Sequence, residues 1–387
     1  MNERADVLLG PGFLGGWRRP VGLVRSWRAD AGEDVFAALA AMARDVPPGG
    51  VLTGYVGYEA AGPLHGLALP APPAFGGCAL PMAWAGLYEG TEAAGPPVAG
   101  AVPEAAVLPS EDASAYEAKV ASIVSAILAG DLFQANLSRR LSAAFAARPD
   151  PDTLPGALFA RLTAGTDAPY AAMIALGEGA VLSASPELFL DVRGDRVAAE
   201  PIKGTRPRGA TPEADAALAA DLAASEKDRA ENVMIADLMR NDLSRVCEDG
   251  SMVEVAVCAL RTLPRVHHLY SRIEARLRPD VSAFGALAAA FPCGSITGAP
   301  KLAAMRLIAA LEGEGRGPYC GTVFAATRER AVFSVPIRTG VLTYGDGGGA
   351  RLDVRTGGGV TALSDPGEEH AETRDKAYPF GLMTGRA

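Results

Sequence analysis

The chain has 387 residues, with 36 Lys+Arg against 45 Asp+Glu and a formal net charge of −9. That balance argues against a nucleic-acid binder, which relies on clustered positive charge, and 49% hydrophobic with 21% charged residues excludes wholesale disorder. The five cysteines (Cys78, Cys247, Cys258, Cys293, Cys320) are odd in number and form no CxxC, so neither a disulfide frame nor a zinc site is indicated and a reducing, cytoplasmic setting is expected.

The first residues, MNERADVLLGPG, mix charges with Gly and Pro and show no apolar core of a signal peptide. No uncharged apolar run reaches the ~18 residues needed to span a bilayer, so no membrane segment is expected. Residues 35–43 read as a helix and 51–58 as a strand. Residues 70–77 and 95–109 are rich in Pro, Gly and Ala, and the second stretch reads as a linker. This places a boundary near residue 108, between an N-terminal β-rich region (1–108) packed on the core and a catalytic region (109–387). Residues 116–129 predict a helix, with Val120, Ile123, Val124, Ile127 and Leu128 at helical spacing and Gly130 as the stop. Strands are predicted at 170–176, 180–184, 187–192, 251–260, 268–277, 321–326, 331–343 and 350–355, several joined by tight turns such as Arg193-Gly194-Asp195. Long strand runs punctuated by a few helices indicate an α+β arrangement with antiparallel sheets.

Several residues stand out against this pattern. Ser225 and Asp228 have the form of a capping box, and the helix 227–245 then places Met234, Ile235 and Leu238 on one face with Glu231 in the same sector. A buried carboxylate needs a cation, a hydrogen-bond network or a proton, whereas an acid at the rim of a helix start is favoured by the dipole. In the run DPGEEHAETRDK (365–376), Glu369 and Glu372 share a helix face, beside Glu368. They form either a solvated helix start or, with Glu231, a place for a hard cation such as Mg²⁺. In PIKGTRPRG (201–209), Lys203 lies between β-branched Ile202 and Gly204; it is either a partly desolvated amine nucleophile or part of a solvated basic cluster with Arg206 and Arg208. FPCGSITGAPK (291–301) leads into a helix over 302–311 and offers backbone N–H groups to an anion, but Lys301 follows Pro300, so it is no Walker A loop. Gly357-Gly358-Gly359 reads as a turn or as a set of backbone donors. Arg338, inside the apolar strand 331–343, needs an anionic partner if it faces inward.

The set FQANLSRR (133–140), SPELFL (185–190), PIKGT, AENVMIADLMRNDL (230–243), GSITGAPK, RGPYCG (316–321), IRTG and DPxxExxETxxKA resembles the chorismate-utilising enzymes. These include anthranilate synthase component I, isochorismate and salicylate synthases and the aminodeoxychorismate synthases. The resemblance covers roughly residues 110–380, with GYVGYE (54–59) the main match before it. It implies two stacked, mostly antiparallel β-sheets flanked by helices. Within the family, PIKGT and GSITGAPK resemble the aminodeoxychorismate branch, where anthranilate and isochorismate synthases carry PIAGT; the anthranilate branch is the alternative. Isochorismate-type members place a water-activating Lys where Gln134 stands here.

The resemblance also implies roles. Glu231 and Glu372 would hold Mg²⁺, with Glu369 assisting through water. Glu187 would be the general acid and Lys203 a covalent nucleophile. Gly204, Thr205, Tyr319, Arg338, Gly357, Gly358 and Gly359 would bind chorismate. His268 matches a His tied in anthranilate synthase to pyruvate loss, with simple packing as the other reading. Ammonia would come from a separate glutamine amidotransferase subunit, since the chain shows no glutaminase-type cysteine signature. The product would be 4-amino-4-deoxychorismate, for 4-aminobenzoate and folate synthesis.

Overall fold

The computed structural model describes residues 5–29, 33–145 and 149–377. Strands whose apolar residues alternate must bury one face, and here they bury it against one another. One sheet runs, in spatial order, Ala106–Pro109, Gln134–Phe145, Ala350–Val360, Thr339–Tyr344, Gly179–Ser185, Tyr170–Leu176 and Asp6–Leu9. The other runs Arg18–Ala29, Ala83–Ala93, Val51–Val56, Thr322–Ala326, Arg330–Ser334, Leu188–Arg193, Arg196–Ala199, Val266–Arg276 and Val253–Thr262. Among the described residues a single pairing, Leu9 with Arg18, joins the two. Every pairing among the described residues is antiparallel, as expected for an α+β fold of two stacked sheets. Residues before 108 supply strands to both: Asp6–Leu9 lies beside Tyr170–Leu176, and Val51–Val56 beside Thr322–Ala326.

Leu9, Tyr55, Trp84, Ile174 and Val323 pack between the sheets. Helices cover the outer faces. Val35–Arg44, Glu226–Ser244 and Ala283–Ala290 close one core, in which the Phe284 ring meets Phe324 and Phe333 edge-on at 5.2 and 5.3 Å. Ala113–Leu128 and Lys301–Glu312 close another against Leu137 and Val360. No described helix is long and apolar enough to cross a membrane. Because Phe324 is fully buried in its ring cluster, a Phe324→Ala variant is expected to lose about 3–5 kcal/mol of stability. Urea unfolding would read this as a lowered midpoint at unchanged slope; a midpoint like wild type would show that the cluster does not hold the helices to the sheet.

The helices at 116–129 and 227–245 are observed as Ala113–Leu128 and Glu226–Ser244, the latter capped by Ser225 Oγ, which accepts from the Asp228 N–H at 3.2 Å. The predicted strand 331–343 is in fact two, Arg330–Ser334 and Thr339–Tyr344. Between them Pro336 has no N–H to give a ladder, and Arg338 sits at φ +51°, which turns the chain. The triple glycine is not a turn: the strand Ala350–Val360 runs through it, pairing Gly357 with Ser138 and Gly359 with Asn136. Part of the predicted linker, Ala106–Pro109, is also strand.

Candidate active site

A cavity of about 560 Å³ collects every residue singled out for the site: Glu187, Lys203, Gly204, Thr205, Glu231, His268, Tyr319, Arg338, Gly357, Gly358, Gly359, Glu369 and Glu372. The strand Ile202–Pro207 slips its register against Val266–Arg276 between Ile202 and Thr205, where Gly204 lies at φ +86°. An irregularity of this kind re-aims a side chain out of the strand's plain alternation, and here it is Lys203 that reaches the cavity. Its Nζ donates to the carbonyl oxygen of Ser295 at 3.2 Å.

Glu187 stands in the short break between strands Gly179–Ser185 and Leu188–Arg193, its N–H bonded to Ser185 Oγ at 3.1 Å. It is 4% exposed. Burial pushes its carboxyl up to about 7, against the opposing pull of the Ser295 hydroxyl and of Lys203. Its Oε1 has no hydrogen-bond partner. Ser295 therefore touches both groups, through its hydroxyl and through its carbonyl.

The triple glycine is the floor. A Cβ at Gly359 would lie 2.1 Å from Gln134 Nε2 and 3.3 Å from Lys203 Nζ, and one at Gly358 would lie 2.9 Å from Glu369 Oε2. Any side chain at these two positions would displace the amine or the carboxylates.

The carboxylates arrive from two helices. Glu231, on Glu226–Ser244, is half-buried, and desolvation raises its carboxyl while Lys203 and Lys227 draw it down. On Pro366–Ala377, Glu369 is buried and likewise raised by burial; its Oε1 accepts from Ser364 Oγ at 2.7 Å and its Oε2 has no partner. Glu372 is exposed and paired with Lys376, whose Nζ also donates to the Gly357 carbonyl at 2.8 Å. Among the described residues no three His, Cys, Asp or Glu side chains form a closed metal cage. Mg²⁺ does not need one, since it binds through one or two carboxylates with waters and substrate oxygens. An unpartnered, buried carboxylate oxygen beside two further acids over a glycine floor is fitting donor chemistry for such a hard cation.

Thr205 Oγ1 and His268 Nδ1 are hydrogen-bonded at 2.8 Å. Burial first, then Arg338 and Arg261, push His268 down to about 4, so its ring is neutral near pH 7. It acts there as a hydrogen-bonding group rather than as a cation. Arg338 makes no side-chain hydrogen bond or ion pair among the described residues, which leaves its guanidinium free for an anion entering the cavity.

Sequence reasoning missed other residues on the wall: Asn136, Ser295, Arg355, Thr356, Lys227 and Lys376. Asn136 and Thr356 each hold a buried polar atom without a partner. Ser295 lies within GSITGAPK, whose glycines and proline signal a helix start and not the serine's own contacts. Lys301 of that motif instead points away and is buried, donating to Asp242 and to the Ala290 carbonyl, both at 2.6 Å.

The chain is 47% identical over 256 residues to an aminodeoxychorismate synthase of Streptomyces griseus, covering 66% of this chain and 34% of that one. It is 43% identical to aminodeoxychorismate synthase component 1 of Klebsiella aerogenes (67% and 56% covered) and 42% identical to an anthranilate synthase component 1 of Haloarcula marismortui (68% and 50%). It thus spans between about a third and just over half of these relatives. Anthranilate synthase component I of Streptococcus pneumoniae superposes on 98% of this chain and 92% of its own with a TM-score of 0.77 at 24% identity. The menaquinone-specific isochorismate synthase of Escherichia coli does so on 98% and 88% with 0.74 at 17%; both likenesses speak for the fold. The sequence pattern of chorismate binding enzymes matches residues 83–381, and with the fold and the cavity in agreement, the chain belongs to the chorismate binding enzyme family.

Proposed function

We propose that the chain is the synthase component that converts chorismate and ammonia to 4-amino-4-deoxychorismate, with residues 109–387 as its catalytic region. The observation that carries this reading is the joint placement of the Lys203 amine, bonded to the Ser295 carbonyl, and the raised Glu187 carboxyl in the cavity that also holds three acids. Two of the relatives are named for this reaction.

Glu231, Glu369 and Glu372 would hold Mg²⁺. When bound, the ion supplies positive charge that fixes a substrate carboxylate. Arg338, Tyr319 and the neutral Thr205–His268 pair hold the rest of the substrate and set the ring against Lys203. Its amine, once its proton has passed to solvent, forms a bond to ring C2, the ring double bonds shift, and the C4–O bond breaks as Glu187 gives its proton to the departing hydroxyl, so that water leaves. Ammonia then bonds to C4, the double bonds shift back, the C2–N bond to Lys203 breaks to release its neutral amine, and the new ammonium at C4 returns a proton to Glu187. A separate glutamine amidotransferase subunit delivers that ammonia in a cytoplasmic setting; the Klebsiella relative's name, component 1, supports a divided enzyme.

The test is product identification by mass spectrometry after incubation with chorismate, Mg²⁺ and ammonium. 4-Amino-4-deoxychorismate supports the reading. Release of anthranilate and pyruvate would overturn it in favour of the second reading, anthranilate synthase component I, which the Haloarcula relative supports. A Glu369→Gln variant is expected to need roughly 10–100-fold more Mg²⁺ for half-maximal rate, and Mn²⁺ titration by electron paramagnetic resonance should show the same weakening. An unchanged titration would remove Glu369 from the ion's ligands.

A further inference from the structure

A second cavity, of about 430 Å³, adjoins the active site and shares Tyr319 and Arg355 with it. Its floor is built from alternate residues of two neighbouring strands: Thr339, Val341 and Thr343 on one, Asp353 and Arg355 on the other. Side chains two apart share a sheet face. The next residue on that face, Gly357, lines the active-site cavity, so the two cavities are successive stretches of one sheet surface. The cover comes from the segment 62–82, which contributes Leu67, Leu69, Leu80 and four prolines.

The arginines in and behind this wall are already matched, and its Glu59 has its carboxyl pushed up to about 7 by burial. Arg140 is bonded to Glu314 at 2.9 Å and paired with Asp353, while Arg355 pairs with Glu314 at 2.6 Å and Arg316 with Glu312 at 2.6 Å. Glu59 accepts from the backbone N–H groups of Arg316 at 2.6 Å and Gly317 at 3.0 Å. A charged ligand would have to shed its water and break into these pairs, whereas an uncharged apolar one has only to leave water. The volume is within the range of small-molecule sites, ~300–1,000 Å³, and the lining follows their pattern of apolar walls with a few fixed polar groups. Proline rings and guanidinium planes clamped by carboxylates are flat, rigid partners for an aromatic ring.

We propose that this second cavity is a binding site for an uncharged, aromatic-bodied small molecule, and that its occupancy alters chorismate binding through the shared walls Tyr319 and Arg355. The probes are three isosteres with one ring system: 2-naphthylmethanol, 2-naphthoate and 2-naphthylmethylamine, titrated by fluorescence and thermal shift. The alcohol is expected to bind saturably and at least tenfold more tightly than either charged probe. Val341→Trp and Leu69→Trp, which fill the cavity from floor and cover, are each expected to abolish that binding while leaving chorismate binding in place. Saturating chorismate is expected to change the alcohol's Kd at least twofold, and the alcohol to change that of chorismate by the same factor.

No saturable binding of the alcohol, equal affinity for all three probes, or binding that survives in both variants would overturn the site. An alcohol affinity indifferent to chorismate would overturn the coupling. These are binding measurements made without ammonia, so they stand or fall separately from the assignment of the product.

Discussion

Replacing Lys203 with Ala is expected to lower ammonia-dependent turnover by roughly 10³-fold or more while the protein stays folded. The side chain is only part-buried and, among the described residues, its one hydrogen bond runs to a backbone carbonyl, that of Ser295. Truncation therefore removes no buried ion pair and leaves the sandwich core untouched. Lys203 has a second influence, since its charge draws down the carboxyls of both Glu187 and Glu231. A loss of rate in the alanine variant could then be electrostatic. Lys203→Arg separates the two: arginine keeps the positive charge but stays protonated and is no nucleophile. The covalent role requires both variants to fall together, and requires rapid quenching of wild type to trap an adduct equal in mass to chorismate less one water. An arginine variant with more than a tenth of wild-type turnover, or no such adduct, would end the covalent assignment.

The sequence made the chemistry legible and left the architecture around it hidden. Glu231, Glu369 and Glu372 could be picked out because helical spacing is local, and Lys203 because its flanking residues are unusual. All of them reach one cavity. Gly357, Gly358 and Gly359 could not be read for what they do, because their task depends on a register between strands more than 200 residues apart, which sets Gly359 against Asn136 and brings Gln134 and Lys203 over it. Apolar periodicity puts Arg338 inside a continuous strand because it cannot register a break made by one proline and one residue at positive φ. Ser295 is the clearest miss. Its importance lies in two contacts, to groups about 90 and 110 residues earlier, and no spacing rule reports such a meeting.

Glu187→Gln is expected to cost roughly 10²–10⁴-fold in turnover, the usual contribution of a positioned general acid. Glutamine keeps the shape and a polar head but has no proton to give. The pH dependence makes the test specific. With its carboxyl pushed up to about 7 by burial, wild-type Glu187 holds its proton below that pH and loses it above, so the rate should fall on the alkaline side with an inflection near 7. In the Gln variant the residual rate should show no such inflection.

Stability should move the other way. A carboxyl whose folded-state value is raised from 4.5 to about 7 binds its proton more tightly when folded. That contribution is complete below the unfolded value and is lost as pH rises toward 7, costing the wild type about 3 kcal/mol by pH 8. The Gln variant never buries that charge, so at pH 8 it should be the more stable protein in urea, and the advantage should shrink to nothing by pH 4. A group kept neutral by burial for catalysis, at the expense of the fold, predicts both signs at once. A variant that is slow but no more stable than wild type at pH 8 would mean that Glu187 is already compensated in the folded protein and is not the proton donor.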